Sequence, residues 1–163
     1  MHRKIILVLA ALASLTAGVQ AKEVVVVKSD KIAKITFPAD WKVEEDEDII
    51  NAYSADEQIS LAVEVADAES LDAVLEGTID YLKENKVTID EKSLKESEGK
   101  INGLEAVFHS YDGKDEAGPC VVSLCFVMVS EEKLVSILHW SPAKVDEAEQ
   151  KKVLAILGSV KKN

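Results

Sequence analysis

Val121-Val122-Ser123-Leu124-Cys125-Phe126-Val127-Met128-Val129 decides how this chain folds. Eight of the nine residues are apolar, on both parities, and five are β-branched or aromatic. A strand with one wet face alternates apolar and polar residues, because successive side chains point to opposite faces. A strand apolar on both parities belongs mid-sheet, covered on both sides. Upstream, Leu104–Tyr111 is also apolar on both parities. Downstream, Ser130-Glu131-Glu132-Lys133 makes a tight turn into the apolar run Leu134–Trp140. Connections this short place neighbouring strands antiparallel. Asn102-Gly103 adds a hairpin signal before Leu104, since both central positions of a type I′ turn need positive φ. Ser93–Ile101, mostly polar, reads as an edge strand. Asp112–Pro119, rich in Asp and Gly, reads as a loop.

The outer parts of the chain complete an α+β pattern. Ala33, Ile35 and Phe37 alternate with Lys34 and Thr36, after a β-branched run at Val24–Val27. Ile49–Tyr53 reads as a short strand. Ile59, Leu61, Val63 and Val65 alternate with Ser60, Ala62 and Glu64, which predicts a strand with one apolar face. The period then changes to three and four at Leu71, Val74, Leu75, Thr78, Ile79 and Leu82. That predicts an amphipathic helix over about 68–86, capped by Asp67 or Ser70. Ser141-Pro142 reads as an N-cap with Pro at the first helical position. The final helix then carries Val153, Ile156, Leu157 and Val160 on one face, and Lys161-Lys162-Asn163 closes it.

The 163 residues include 30 acids against 19 Lys and Arg, a formal net charge of −11. An acidic chain is a poor match for nucleic acid or anionic lipid, which select Lys and Arg. At 47% hydrophobic it has the material for a core, so it is globular rather than disordered. Met1–Lys4 is basic, Ile5–Ala13 is apolar, and Ser14–Ala21 is small-residue-rich, ending Val19-Gln20-Ala21. This three-part pattern predicts a signal peptide over 1–21, cleaved after Ala21, with one domain over 22–163. A retained membrane helix is the alternative, but Ser14, Thr16, Gly18 and Gln20 dilute the stretch short of a full span. No twin-Arg pair and no Cys near the cut are present, so the general secretory route is expected, to the periplasm or the medium. Loss of Arg3 and Lys4 leaves 17 bases against 30 acids, net −13. No stable membrane insertion is expected after cleavage.

Phe37-Pro38-x-x-Trp41 closes the first long strand. Asn102-Gly103-Leu104-Glu105-Ala106 leads into the apolar strands, and Ile156-Leu157-Gly158-Ser159-Val160 ends the chain. In this order the residues resemble the PsbP-like superfamily over about Val24–Val160. That group includes the extrinsic photosystem II subunit, a small Ran-binding nuclear import factor and secreted bacterial proteins of unknown role. The resemblance implies an antiparallel β-sheet with helices packed on both faces. It implies an accessory or binding role rather than a reaction, and fold analogy is a weak warrant for function. Neither photosystem docking nor Ran binding transfers residue by residue.

Residues of a type that carries chemistry are few. Cys120 and Cys125 enter an oxidising compartment on export. On one strand, though, their Cα atoms lie about 16 Å apart at ~3.3 Å per residue, beyond disulfide reach. The expectation is two buried thiols. His109 and His139 are the only histidines after residue 21. If their strands pair, the imidazoles meet and a carboxylate could complete a metal site, but no zinc spacing supports that. Core or edge histidines are expected. Glu44–Asp48 and Asp112–Glu116 lack the ligand order of a calcium loop and read as solvated loops. There is no Gly-x-Ser-x-Gly, Gly-x-Gly-x-x-Gly or P-loop, and no Cys-x-x-Cys. No residue is assigned to catalysis, cofactor or metal. Trp41 and Trp140 are expected to pack.

The function expected is a secreted or periplasmic, non-enzymatic accessory or binding module with a protein partner of unknown identity. A large exposed apolar patch away from any cleft would mark it. One alternative is a small-molecule or metal-binding protein with a pocket between sheet and helix, marked by His109 and His139 in contact. The other is a hydrolase with a non-local site, marked by a Ser or carboxylate beside a His in a cleft.

Overall fold

The computed structural model of the protein describes residues 21–26, 32–46 and 49–163. The expected leader up to residue 20, residues 27–31, and Glu47-Asp48 lie outside the described residues. The strands are β1 (Lys22–Val26), β2 (Ala33–Phe37), β3 (Lys42–Glu45), β4 (Ile49–Tyr53), β5 (Ser60–Asp67), β6 (Thr88–Ile89), β7 (Lys95–Ile101), β8 (Leu104–Asp115), β9 (Gly118–Met128), β10 (Lys133–Pro142) and β11 (Lys161–Lys162). The helices are α1 (Leu71–Glu84) and α2 (Glu147–Gly158).

The apolar run sits inside the larger sheet. β9 pairs with β8 on one side and β10 on the other, in the order β3-β4-β5-β10-β9-β8-β6, with β7 also on β8. Every pairing is antiparallel. Alternate residues of β9 feed two separate cores. Cys120, Val122, Leu124 and Phe126 pack with Leu134 and Leu138 of β10 and Leu82 of α1. Cys125 and Val127 pack with Leu61 and Val63 of β5, Val135 and Ile137 of β10, and Val153 and Ile156 of α2. Burial of both parities is what the composition of the run demands.

A second, three-stranded sheet, β1-β2-β11, joins the α2 side and contributes Val24, Ala33, Ile35 and Phe37 to its core. The expected picture of one sheet between helices contains no such element. It closes because the chain end returns as a strand: Lys161 pairs with Lys34, and Lys162 with Ala33. The expected helical close at Lys161-Lys162-Asn163 is therefore corrected. Two side chains seat this end. Thr36 N donates to Ser159 Oγ at 2.8 Å, and Asn102 Nδ2 donates to the carbonyls of Gly158 and Val160. Asn102 and Gly103 have φ of +49° and +84°, as a type I′ turn requires.

Four local expectations fail for identifiable reasons. Asp112–Pro119 is not a loop, since Asp112–Asp115 pair with Gly118–Val121 and only Glu116-Ala117 turn. The Asp115 carboxylate accepts from Ala117 N and Gly118 N and so builds the turn itself. Ser141-Pro142 does not start a helix, because β10 stays paired to β9 as far as Pro142. Asp146 caps α2 instead, its carboxylate accepting from Ala148 N at 2.7 Å. Neither Asp67 nor Ser70 caps the other helix with its side chain. A single 3₁₀ turn over 68–70 leads into α1, held where Ala68 N donates to the Glu132 carbonyl. Finally, Glu44 and Glu45 belong to edge strand β3 rather than an acidic loop.

The Asp146 cap is open to measurement. An N-cap acid is worth about 1 kcal/mol. Asp146→Ala should lower the urea midpoint by that equivalent with the m-value unchanged. An unshifted midpoint would show that the cap contributes nothing.

Candidate functional site

The two histidines do not meet. His109 pairs with Leu124 and His139 with Ser123. Cross-strand partners share a face and chain neighbours do not, so the two imidazoles point to opposite sides of the sheet. Each has its own surroundings. His109 lies edge-on to Phe126, with ring centroids 5.8 Å apart. Its Nε2 is 3.3 Å from the exposed Glu96 carboxylate. Its buried Nδ1 has no hydrogen-bond partner among the described residues. His139 is largely buried on the α2 side, and burial pushes its pKa down to about 4. It is neutral at any ordinary pH.

Cys120 and Cys125 are free thiols, both buried, and they belong to different cores. Burial raises the Cys120 thiol and pushes Cys125 up to about 12. A thiol in that state is protonated and a poor nucleophile. Among the described residues no three His, Cys, Asp or Glu side chains converge as a metal site. Trp41 is buried and packs in the core with β2. Trp140 is half-buried, and its Nε1 donates to Asp115 Oδ2 at 3.0 Å.

His139 opens onto a cleft of about 350 Å³ between the sheet and α2. Its walls are mainly apolar: Phe108, Ile137 and Val145, with Val153, Leu154 and Leu157 from the helix, and Ser141 and Gln150 as polar exceptions. Its floor holds a polar row fixed by register. Ser110 of β8 lies opposite Ser123 of β9, which lies opposite His139 of β10. Ser123 Oγ donates to Ser110 Oγ at 3.1 Å. Small side chains at 110 and 123 leave the space that larger ones would fill. This row was not anticipated from sequence. Its one trace there is Ser123, the only polar residue in the apolar run.

The opposite face carries a second hollow beside α1, described further below. Of the four large apolar side chains exposed among the described residues, Leu154 lines the α2 cleft. Ile49 and Tyr81 line the hollow beside α1. Leu94 stands apart from both. The large apolar patch away from any cleft that would mark a flat docking surface is not seen among the described residues.

No family model matches the chain, and no curated protein matches it in sequence. Solved structures do match it in fold. The solution structure of the cyanobacterial PsbP of Synechocystis sp. PCC 6803 aligns with a TM-score of 0.61 at 9% identity, over 95% of this chain and 99% of that one. LpqN of Mycobacterium tuberculosis, described as involved in cell envelope biogenesis, aligns with a TM-score of 0.57 at 10% identity, over 88% and 91%. A protein of Bacteroides thetaiotaomicron VPI-5482 aligns with a TM-score of 0.60 at 12% identity, over 87% of this chain and 48% of its own, so this chain spans about half of that one. The chain has the PsbP-like fold. At these identities the likeness is one of architecture and carries no site residues across.

Proposed function

We propose that the protein is an exported, non-enzymatic binding module that holds an apolar group in the cleft between the sheet and α2. The observation that carries this reading is Leu154. It is 67% exposed at the rim of a cleft whose walls are mainly apolar. An exposed leucine beside an apolar cavity has no packing role in the free protein, and pockets of this size and lining suit small apolar ligands or an inserted side chain. The basic–apolar–small pattern of residues 1–21 supports export. The fold shared with an envelope-biogenesis protein is consistent with that setting.

Ser123 beside His139 favours hydrolysis as a second reading. The chemistry weighs against it. A general base works best with a pKa near the operating pH, whereas burial holds His139 near 4. The Ser123 hydroxyl is directed at Ser110, and no carboxylate enters among the influences on His139.

The test uses N-phenyl-1-naphthylamine, a neutral apolar fluorophore. Saturable enhancement is expected with the wild type. Leu154→Glu should weaken it at least roughly five-fold, the equivalent of ~1 kcal/mol, with the melting temperature unchanged because the site is exposed. No saturation, or equal binding by the variant, would sink the apolar-cleft reading. Covalent labelling of Ser123 by a fluorophosphonate would replace it with the hydrolytic one.

A further inference from the structure

The α1 side of the sheet holds a different kind of hollow. On this face β5 presents Ser60, Ala62, Glu64 and Ala66, which are small except for one acid. α1 crosses above them with Ala73 and Gly77 toward the space. The result is a hollow of about 580 Å³, adjoining one of about 630 Å³. Asn51, Tyr53, Ala62, Tyr81 and Leu138 line both, so the two form one groove. A Cβ added at Gly77 would meet nothing within 4 Å.

The chemistry of the groove is one-sided. Its lining includes the carboxylates of Glu57, Glu64 and Asp115, and no lysine or arginine among the described residues. Asp115 is occupied by its turn and by Trp140. Glu64 is different. It stands between Ile49 and Ser136 across the strands. Burial alone raises its pKa, with no cation among the causes. Removing a carboxylate from water without a paired cation is costly, and a positive group placed beside it recovers that cost. The aromatic rings point the same way. Tyr81 is exposed and Tyr53 half-buried. The Lys42 ammonium already lies 5.8 Å from the Tyr53 ring centroid while pairing with Glu44. Tyrosine faces attract cations and apolar bodies alike.

We propose that this groove binds a small organic cation, with an ammonium or guanidinium head against the Glu64 carboxylate and an apolar body between α1, Tyr53 and Tyr81. Its volume is that of a small-molecule site. The proposal is independent of the cleft beneath α2, which lies on the other face of the sheet.

The probe is phenethylammonium, with 2-phenylethanol as its neutral counterpart of the same shape, each titrated into ¹⁵N-labelled protein. Saturable amide shifts are expected at Ala62, Gly77, Tyr81 and Leu138. The cation should bind about ten-fold more tightly than the alcohol, and Glu64→Gln should erase that ten-fold margin without affecting the alcohol. Gly77→Leu, which fills the groove from the helix side, should abolish both and serves if Glu64→Gln folds poorly. Equal binding of cation and alcohol to the wild type, shifts confined to the α2 cleft, or no saturation would overturn the proposal. A lysine-containing tetrapeptide that outcompetes phenethylammonium ten-fold would overturn it in favour of a partner's side chain.

Discussion

Phe126→Asp and Leu124→Asp should each leave no soluble folded protein. Both residues lie on β9 and are 2% and 3% exposed. Phe126 stands between Val107 and Ser136 across the strands, with its ring against His109. Truncating a buried Phe costs about 3–5 kcal/mol through lost burial and the cavity left behind. A carboxylate in that cavity adds several more, because it is taken out of water among apolar side chains. A domain of ordinary size has only about 5–15 kcal/mol in hand. Once exposed, the strand is rich in β-formers and carries no charge except the new Asp, so the unfolded chain should aggregate rather than persist. The measurement is soluble yield after expression, with Leu94→Asp as the control, since Leu94 is 41% exposed. Normal yield and cooperative unfolding of either β9 variant would show that β9 is not the centre of the fold.

β9 was legible because its side chains carry the whole signal: apolar on both parities means covered on both faces. The same holds for β10 and for the strict alternation of β5. Legibility ended where a strand's identity comes from its partner. Asp112–Asp115 are strand because Gly118–Val121 pair with them, and their own Asp, Gly and Lys say the reverse. Glu44 and Glu45 lie on an edge strand exposed to water, where nothing selects against acids. Ser141-Pro142 suits a helix start and a strand end equally, and the length of β9 settles it. The sites demanded still more. His109 and His139 fall on opposite faces through the lengths of two turns, and one residue more or fewer in either would bring them to the same side. The row Ser110-Ser123-His139 needs three strands in register. The groove beside α1 was half legible: Ser60, Ala62 and Glu64 were visible as the non-apolar face of β5, but not the helix that spans them without filling the gap.

Acidification from neutrality should destabilise the protein, and His139 should supply most of the loss above the carboxylate range. Burial holds its folded pKa near 4, against 6.5 in an unfolded chain. Between those values the unfolded chain takes up a proton that the folded one refuses. Stability therefore falls as pH drops through this window, and is at its full value above 6.5. Over the whole window the loss is about 3 kcal/mol, since one pKa unit is worth ~1.4 kcal/mol. Below pH 4 both states are protonated and this contribution stops growing. Other groups act elsewhere or with the opposite sign. Asp40, held down by its hydrogen bond from Lys152, and Asp56, held down by Ser54, lose their stabilising effect only at lower pH. Glu64, raised by burial, gives a gain on acidification. Comparing wild type with His139→Gln removes all of these together. Urea unfolding at pH 7.0 and 4.5 should show the wild type losing roughly 2–3 kcal/mol more than the variant. Identical pH dependence of the two would mean that His139 is solvated rather than enclosed by the cleft. The same protonation would put an unpaired charge beside the walls of Phe108, Ile137 and Leu157. In the folded protein that protonation sets in only near pH 4, so an apolar occupant of the cleft should stay bound across the window where the wild type weakens, be released as pH reaches about 4, and be retained there by His139→Gln.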